Sequence, residues 1–114
     1  MMQFDFGEKT VFITGGRGGI GNAISECFLR TNARVIAPTS SELDLSSESS
    51  IINYFERNSV DADIVIHSAG INELAGVTEL KSETVERVFN VNLFSFMYLL
   101  KKIVPRMKEK GSGR

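Results

Sequence analysis

A glycine-rich turn between a strand and a helix is the feature that most constrains how this chain can fold. Residues 9–13, Lys-Thr-Val-Phe-Ile, are β-branched and aromatic enough to predict a buried strand. Residues 14–21, Thr-Gly-Gly-Arg-Gly-Gly-Ile-Gly, follow directly. An apolar stripe at three- and four-residue spacing then predicts a helix that ends near Asn32. The members of this stripe are Ile20, Ala23, Ile24, Cys27 and Phe28.

The rest of the chain continues to alternate between strand and helix patterns. Residues 33–37 and 62–67 predict two further strands, and residues 46–58 predict a helix between them. Residues 42–45 follow the second strand too closely for a parallel crossover of about a dozen residues, so they predict an extended loop. A long helix is expected from 82 to 104, broken near Pro105, and the tail 108–114 is expected to contain no strand. The alternation predicts an α/β fold: a Rossmann-like doubly wound parallel sheet with helices on both faces, truncated.

Composition and charge exclude several classes of protein. The chain has 114 residues, 42% of them apolar and 24% charged, with a formal net charge of -1, as in ordinary soluble domains. Lys and Arg form no stripe, so no nucleic-acid partner is expected. The N-terminus lacks the pattern of a signal peptide, and no apolar run approaches the ~20 residues of a membrane span. The single Cys27 lies among apolar neighbours and predicts a reduced core thiol in a cytoplasmic protein.

The glycine turn has the context of a dinucleotide-binding loop. Gly15 would allow the tight turn, Gly19 would let backbone N–H groups approach a pyrophosphate, and Gly21 would let the helix pack closely on the strand. The phosphates would then lie at the electropositive N-terminus of the helix.

Four motifs in order resemble the short-chain dehydrogenase/reductase family. Thr14, Gly15, Gly19 and Gly21 match its T-G-x-x-x-G-x-G pattern. Residues 43–45 resemble its Asp-containing adenine turn, residues 66–70 its N-N-A-G strand end, and residues 89–93 its helix segment with a catalytic Asn. His67 and Ser68 replace the two asparagines of N-N-A-G, which is a departure from the family pattern. The resemblance places these residues at the cofactor: Thr14, Gly15, Arg17, Gly19, Ile20, Gly21, Asp44, Leu45, His67, Ser68, Ala69 and Gly70.

The resemblance implies an NAD(P)-dependent oxidoreductase that transfers hydride between nicotinamide and a carbonyl or alcohol substrate. Asn92 corresponds to the catalytic Asn, and its place on the apolar stripe of residues 85–103 predicts a hydrogen-bond partner in backbone or water. Tyr98 and Lys102 match the family's Y-x-x-x-K string, but Tyr98 lies ~120° around the helix from Asn92. We interpret them as a packing ring and a solvated charge. Residues 1–114 are thus expected to be an incomplete NAD(P)-binding domain, without the catalytic half and without turnover.

The choice between NADP and NAD depends on Arg17. The second predicted strand ends Ala37-Pro38-Thr39-Ser40, with no carboxylate for a ribose 2′-hydroxyl. Arg17 could bind a 2′-phosphate, with help from Thr39 and Ser40, which favours NADP. The alternative is that Arg17 is a solvated charge and Glu42 binds the ribose of NAD.

The last helix also suggests self-association. Val91, Phe94 and Tyr98 make it apolar on a second side, which must be covered, and in the family this helix contributes to a subunit interface. We therefore expect a homo-oligomer through the 82–104 helix.

No metal site is predicted. The alternative function is a non-catalytic dinucleotide-binding sensor or scaffold; an S-adenosylmethionine methyltransferase is disfavoured because no acidic residue precedes the glycine loop.

Overall fold

A three-stranded parallel sheet forms the centre of the protein. The structure, a computed structural model, describes residues 3–114. The strands are β1 (Thr10–Thr14), β2 (Arg34–Ile36) and β3 (Ile64–His67), in the order β2-β1-β3. Thr14 stands opposite His67, while Phe12 stands between Ile36 and Val65. The predicted parallel sheet is confirmed.

Helices join the strands and follow them. They are α1 (Gly19–Arg30), α2 (Glu48–Arg57), α3 (Ser82–Phe89) and α4 (Ser95–Lys110). A short 3-10 helix lies at Val77–Glu79, and a five-residue π-helix at Asn90–Phe94, called the π turn below, joins α3 to α4. The Ser47 hydroxyl caps α2 by accepting the N–H of Ser50. Just after α1, Asn32 adopts a left-handed conformation with φ 69°, which Asn tolerates well. Among residues 3–114 no helix combines the length and the apolar character that crossing a bilayer requires.

The core lies in two layers, one on each face of the sheet. Phe12 belongs to the larger cluster, which α2 and α4 cover, whereas Val11 and Ile13 belong to the smaller cluster beside α1. Adjacent residues of a strand point to opposite faces, so β1 separates the two layers. The prediction of helices on both faces is confirmed. The buried partners of Phe12 are Leu43, Ile51, Tyr54, Ala62, Leu99, Ile103 and Met107.

The predicted buried face of α1 was right for Ile24 and Phe28, which pack against the core, and wrong for its other three residues. Ala23 and Cys27 are exposed and Ile20 is 76% exposed, whereas Gly21 and Ser25 are buried. The small residues face inward because Gly21 packs directly on the backbone of the glycine loop. The Ser25 hydroxyl is satisfied inside the helix by donating to the carbonyl of Gly21 at 2.9 Å. Cys27 is therefore a surface thiol and not a core residue.

The last helix also differs from its prediction, in both continuity and length. The π turn at Asn90–Phe94 separates α3 from α4, and α4 continues through Pro105 to Lys110. The proline removes one helical donor, and both Pro105 and Lys101, the residue four positions before it, are exposed. The buried stripe of α4 is Ser95, Leu99, Ile103 and Met107. The residues of the predicted stripe that precede the π turn, Val85 and Phe89 among them, are largely exposed.

The C-terminal tail forms no strand of the sheet, but its last residue makes two strand-like bonds with β3. Gly111 ends α4 in a left-handed conformation, φ 73°, and turns the chain back toward the sheet. The N–H of Arg114 donates to the carbonyl of Asp63 at 3.1 Å, and the N–H of Val65 donates to the carbonyl of Arg114 at 2.8 Å. This is the bond pattern of a parallel ladder, and it places Arg114 opposite Ile64 at the edge of β3 that faces away from β1.

Candidate dinucleotide-binding site

A cleft of about 550 Å³ lies at the carboxyl ends of the three strands. The chain passes from β1 to β2 on one side and returns to β3 on the other, so the order of the sheet reverses at β1. Parallel α/β sheets bind ligands outside the carboxyl ends of the strands at such a reversal. The lining comes from the loops that follow β1, β2 and β3 and from the π turn: Thr14, Gly15, Arg17, Gly18, Pro38, Thr39, Ser40, Leu43, Asp44, Leu45, Ser46, Ser68, Ala69, Gly70, Ile71 and Val91.

The glycine loop forms the floor of this cleft. Gly15 has φ +66°, and a β-carbon there would lie 2.7 Å from the backbone nitrogen of Ala69, so only glycine fits. The N–H of Gly18 donates to the carbonyl of Gly15 at 3.0 Å and closes the turn. Gly18 is also the N-cap of α1 and carries no side chain that could cap the helix. The orphan N–H groups of the first turn are therefore left for an anionic ligand.

Asp44 lies on the wall that follows β2. Its Oδ1 accepts hydrogen bonds from the hydroxyl and the N–H of Ser46, at 2.6 and 2.9 Å. These bonds hold the pKa of the Asp44 carboxyl below its usual value, so it is ionised at neutral pH. The N–H of Asp44 donates to the hydroxyl of Ser50 and fixes the turn to the start of α2.

The end of β2 contains a capping box. Thr39 donates both its N–H and its hydroxyl to Oε1 of Glu42, at 3.0 and 2.9 Å, and the N–H of Glu42 donates back to the Thr39 hydroxyl. The backbone and hydroxyl bonds from Thr39 lower the pKa of Glu42, with a smaller contribution from the charge of Arg17. Glu42 lies outside the lining of the cleft, whereas Arg17, Thr39 and Ser40 line it.

The opposite wall is held by Asn92. Its Oδ1 accepts the N–H of Ile71 at 2.8 Å, and its Nδ2 donates to the carbonyl of Ile71 at 2.9 Å. The predicted hydrogen-bond partner of Asn92 is thus a backbone group in the segment that follows β3. Asn92 belongs to the π turn, a helix irregularity that is frequent at functional sites.

His67 lies behind the cleft rather than in its lining. Its Nδ1 is 2.7 Å from the hydroxyl of Thr14 and its Nε2 is 3.2 Å from the carbonyl oxygen of Asn92. Burial lowers the pKa of His67, and the backbone carbonyls of Asn92 and Val91 offset part of that effect. The ring is neutral at physiological pH as a result.

The structure brings most of the sequence-predicted cofactor residues together. Those that line the cleft are Thr14, Gly15, Arg17, Asp44, Leu45, Ser68, Ala69 and Gly70. Gly19, Ile20, Gly21 and His67 lie outside the lining. Ile20 is exposed to solvent, Gly21 packs on the backbone of Gly15, and His67 is turned toward Asn92. The sequence did not assign six other lining residues to the cofactor, since nothing local distinguishes their side chains from ordinary loop and helix residues: Gly18, Pro38, Leu43, Ser46, Ile71 and Val91.

Tyr98 and Lys102 do not contribute to the cleft. Tyr98 packs against the core cluster around Phe12 and, with Ile51, borders a shallow depression between α2 and α4. Lys102 is exposed. Their positions agree with a packing ring and a solvated charge.

The fold and the cleft together define a Rossmann-type nucleotide-binding domain. The family model described as short chain dehydrogenase matches residues 39–114, which begin beyond the glycine loop. The chain belongs to the short-chain dehydrogenase family.

Individual relatives agree with this assignment. An uncharacterized oxidoreductase of Bacillus subtilis is 30% identical, with 99% of this chain and 51% of the relative covered. The structure of a 4-hydroxyisoleucine dehydrogenase complexed with NADH is 28% identical, with a TM-score of 0.82 over 92% of this chain and 52% of that one. An L-sorbose reductase from Gluconobacter frateurii, complexed with NADPH and L-sorbose, is 21% identical, with a TM-score of 0.84 over 98% of this chain and 52% of that one, and shows the fold. The chain spans about half the length of these relatives.

Proposed function

We propose that the cleft binds NADP(H), and that residues 1–114 are the NAD(P)-binding part of an oxidoreductase that transfers hydride between nicotinamide and a carbonyl or alcohol substrate. The observation that carries this proposal is the glycine loop at the reversal point of the sheet. There, the side-chain-free N-cap Gly18 leaves the first-turn N–H groups of α1 for a pyrophosphate. A cleft of about 550 Å³ is within the size range of small-molecule sites. Relatives with bound NADH and bound NADPH support a nicotinamide dinucleotide without choosing between the two.

The choice of NADP depends on the groups near the end of β2. Arg17 is exposed and lines the cleft, so its guanidinium is available to a 2′-phosphate. Oε1 of Glu42, the competing carboxylate, accepts both donors of Thr39 and lies outside the lining. These contacts favour a phosphate over a bare ribose hydroxyl.

Within this proposal Asn92 is the counterpart of the family's catalytic Asn; it lies outside the lining of the cleft, and its amide holds the backbone of Ile71 at the wall. A dinucleotide-binding sensor would use the same pyrophosphate site. Residues 1–114 are expected to lack turnover by themselves, so the assay must use a chain that also carries the catalytic half. Loss of NADPH absorbance with a carbonyl compound would then indicate the enzyme, because a sensor binds NADPH without consuming it.

The variant Gly19→Ala tests pyrophosphate binding without disturbing the fold. Apart from its two chain neighbours and the adjacent backbone of its own helix, no heavy atom of the described residues lies within 4 Å of a β-carbon built on Gly19. The added methyl group would meet only a ligand that approaches the first turn of α1. We expect NADPH binding, followed by its fluorescence, to weaken at least about tenfold, or ~1.4 kcal/mol, with an unchanged melting temperature.

Gly76→Ala is the matched control, since its β-carbon would make only ordinary contact with the flexible side chain of Glu79. It should alter neither binding nor stability. Unchanged NADPH affinity in Gly19→Ala would contradict the proposed site.

Arg17→Ala tests the choice of cofactor. We expect the affinity for NADPH to fall about tenfold, as for the loss of one charge-assisted bond, while the affinity for NADH stays the same. Arg30→Ala, at the other end of α1, is the control for a general loss of positive charge. Equal effects on the two cofactors would overturn the preference for NADP, and a loss of NADH binding in Glu42→Gln would support NAD instead.

We also propose self-association through α3, the π turn and α4. Four apolar side chains at four-residue spacing are exposed there, at Val85, Phe89, Leu93 and Met97. This surface differs from the predicted one, which consisted of Val91, Phe94 and Tyr98. Tyr98 packs on the core and Val91 lines the cleft. Of the three, Phe94 is the one that is an exposed large apolar side chain.

A further inference from the structure

The imidazole of His67 connects two parts of the site that belong to different elements. The ring lies parallel to that of Phe96, with centroids 4.8 Å apart and planes inclined by 11°. Nδ1 lies 2.7 Å from the Thr14 hydroxyl, at the end of β1. Nε2 lies 3.2 Å from the carbonyl oxygen of Asn92, in the π turn. Stacking therefore sets the plane of the ring, and each nitrogen has a partner on a different element.

The position of each proton follows from what the partners can do. A carbonyl oxygen only accepts, so Nε2 must carry the proton that points at Asn92. In the neutral ring Nδ1 is then an acceptor, and the Thr14 hydroxyl donates to it. The same hydroxyl oxygen accepts the N–H of Ala69 at 3.3 Å. Thr14 is 2% exposed, so its hydroxyl has little access to solvent.

The series of bonds continues from Asn92 to the far wall of the cleft. The side-chain amide of Asn92 holds both backbone groups of Ile71, at 2.8 and 2.9 Å. Thr14 lies at the floor of the cleft and Ile71 lies on its wall. Thr14, His67, Asn92 and Ile71 thus form one hydrogen-bonded series across the site. Among the hydrogen bonds of residues 3–114, that of His67 joins the sheet to the π turn.

We propose that His67 is a positioning residue: as the Nε2–H tautomer it fixes the backbone of the π turn at Asn92, so that the Asn92 amide holds Ile71 at the wall of the cleft. His67 acts through Asn92 and does not itself line the cleft. Its importance for cofactor binding and catalysis rests on the proposed function, but the bonds themselves join protein atoms only. The family pattern has Asn at this position, whose shorter side chain cannot span both partners in the same way.

The first test is the tautomer itself. The chain contains one histidine, so a long-range proton–nitrogen spectrum of the imidazole reports on His67 alone. We expect a protonated Nε2, an unprotonated Nδ1 and a midpoint below the ordinary pKa of 6.5, because burial disfavours the charged ring. The groups that contact the ring, which are the Thr14 hydroxyl, the carbonyls of Val91 and Asn92, and the ring of Phe96, carry no charge. A protonated Nδ1, or averaging between the two tautomers, would overturn the proposal.

The second test measures the hydrogen exchange of the Ile71 amide in three variants. His67→Phe keeps a ring that can stack on Phe96 but loses both hydrogen bonds. His67→Asn can replace Nδ1 but does not reach Asn92, whereas His67→Gln can place an amide N–H where Nε2 was. We expect exchange of Ile71 to become about five- to tenfold faster in the Phe and Asn variants, as for one lost hydrogen bond, and to stay near wild type in the Gln variant.

The amide of Phe12, in the centre of the sheet, is the reference for global stability. If hydrogen exchange at Ile71 and at Phe12 is accelerated equally in every variant, the role of His67 is merely structural and the proposal is overturned. The proposal is also overturned if Ile71 exchanges as fast in the Gln variant as in the Asn variant. If the Phe variant fails to fold, the comparison of Ile71 exchange between the Gln and Asn variants and the wild-type imidazole spectrum still test the positioning role of His67. A titration of the wild-type protein with NADPH distinguishes the two proposals. If His67 has the expected tautomer but NADPH does not bind, only the proposed function is contradicted. If NADPH binds but His67 has the other tautomer, only the positioning role is contradicted.

Discussion

The backbone of Gly21 lies directly against the carbonyl oxygen of Gly15, so that a β-carbon at position 21 would overlap that oxygen. The contact brings the first turn of α1 close to the glycine loop and sets which face of the helix meets the sheet. It explains why small residues, Gly21 and Ser25, occupy the buried positions of α1 while Ile20 is exposed.

Gly21→Ala is therefore expected to destabilise the protein by about 2–3 kcal/mol, since the methyl group meets backbone that cannot rotate away. Denaturant unfolding, monitored by circular dichroism, measures this change. Gly19→Ala adds the same methyl group two residues earlier, where it has free space and favourable helix propensity, and should be neutral or slightly stabilising. Equal destabilisation of the two variants would contradict the close packing of Gly21 on Gly15.

The sequence predicted the α/β class and the glycine loop because both depend on local pattern. The apolar run of β1 and the glycines after it are adjacent in the chain, so their relationship can be read without tertiary structure. Most of the residues that line the cleft could also be predicted from the sequence, since the loops after β1, β2 and β3 must meet at one edge of a parallel sheet.

The errors arose where packing changed the helical phase. The contact of Gly21 with Gly15 puts Gly21 and Ser25 in the buried face of α1, so Ile24 and Phe28 pack on the core as predicted but Cys27 is a surface thiol. The π turn at Asn90–Phe94 shifted α3 relative to α4, so a stripe read with a constant period fails across it. The strand-like bonds of Arg114 depend on Asp63 and Val65, which lie far away in the sequence.

Acid should destabilise the protein through Asp63. The N–H of Thr10 donates to Oδ2 of Asp63 at 2.9 Å, and Nζ of Lys110 lies 2.9 Å from Oδ1. The hydrogen bond from Thr10 and, to a smaller extent, that from Lys110 lower the pKa of the Asp63 carboxyl below its ordinary value of 3.8. The unfolded chain therefore binds more protons between the lowered pKa and 3.8, and the contribution of Asp63 to stability is lost as the pH falls through that window.

Asp63→Asn removes this contribution at all pH values. We expect a loss of about 1 kcal/mol at neutral pH, since Asn still accepts the N–H of Thr10 but gives up the charge. Below the window the variant should approach the stability of wild type, as measured by urea unfolding across a pH series. Asp61→Asn is the control, because Asp61 also pairs with Lys110 but has a side chain that is 49% exposed. A larger effect at Asp61 than at Asp63 would contradict this account.

The exposed surface of Val85, Phe89, Leu93 and Met97 predicts that the protein self-associates. These four exposed apolar side chains, called the ridge below, lie along α3, the π turn and the start of α4, and an apolar surface is stabilised by removal from water. Light scattering at high micromolar concentration should give a mass above that of the 12.6 kDa chain. Leu93→Asp should restore the monomer, because a carboxylate at the centre of the ridge would be buried without a partner in the assembly. Leu29→Asp introduces the same charge at an exposed leucine on α1 and should leave the assembly intact. A monomeric wild-type protein, or equal dissociation of both variants, would show that this ridge is not the interface.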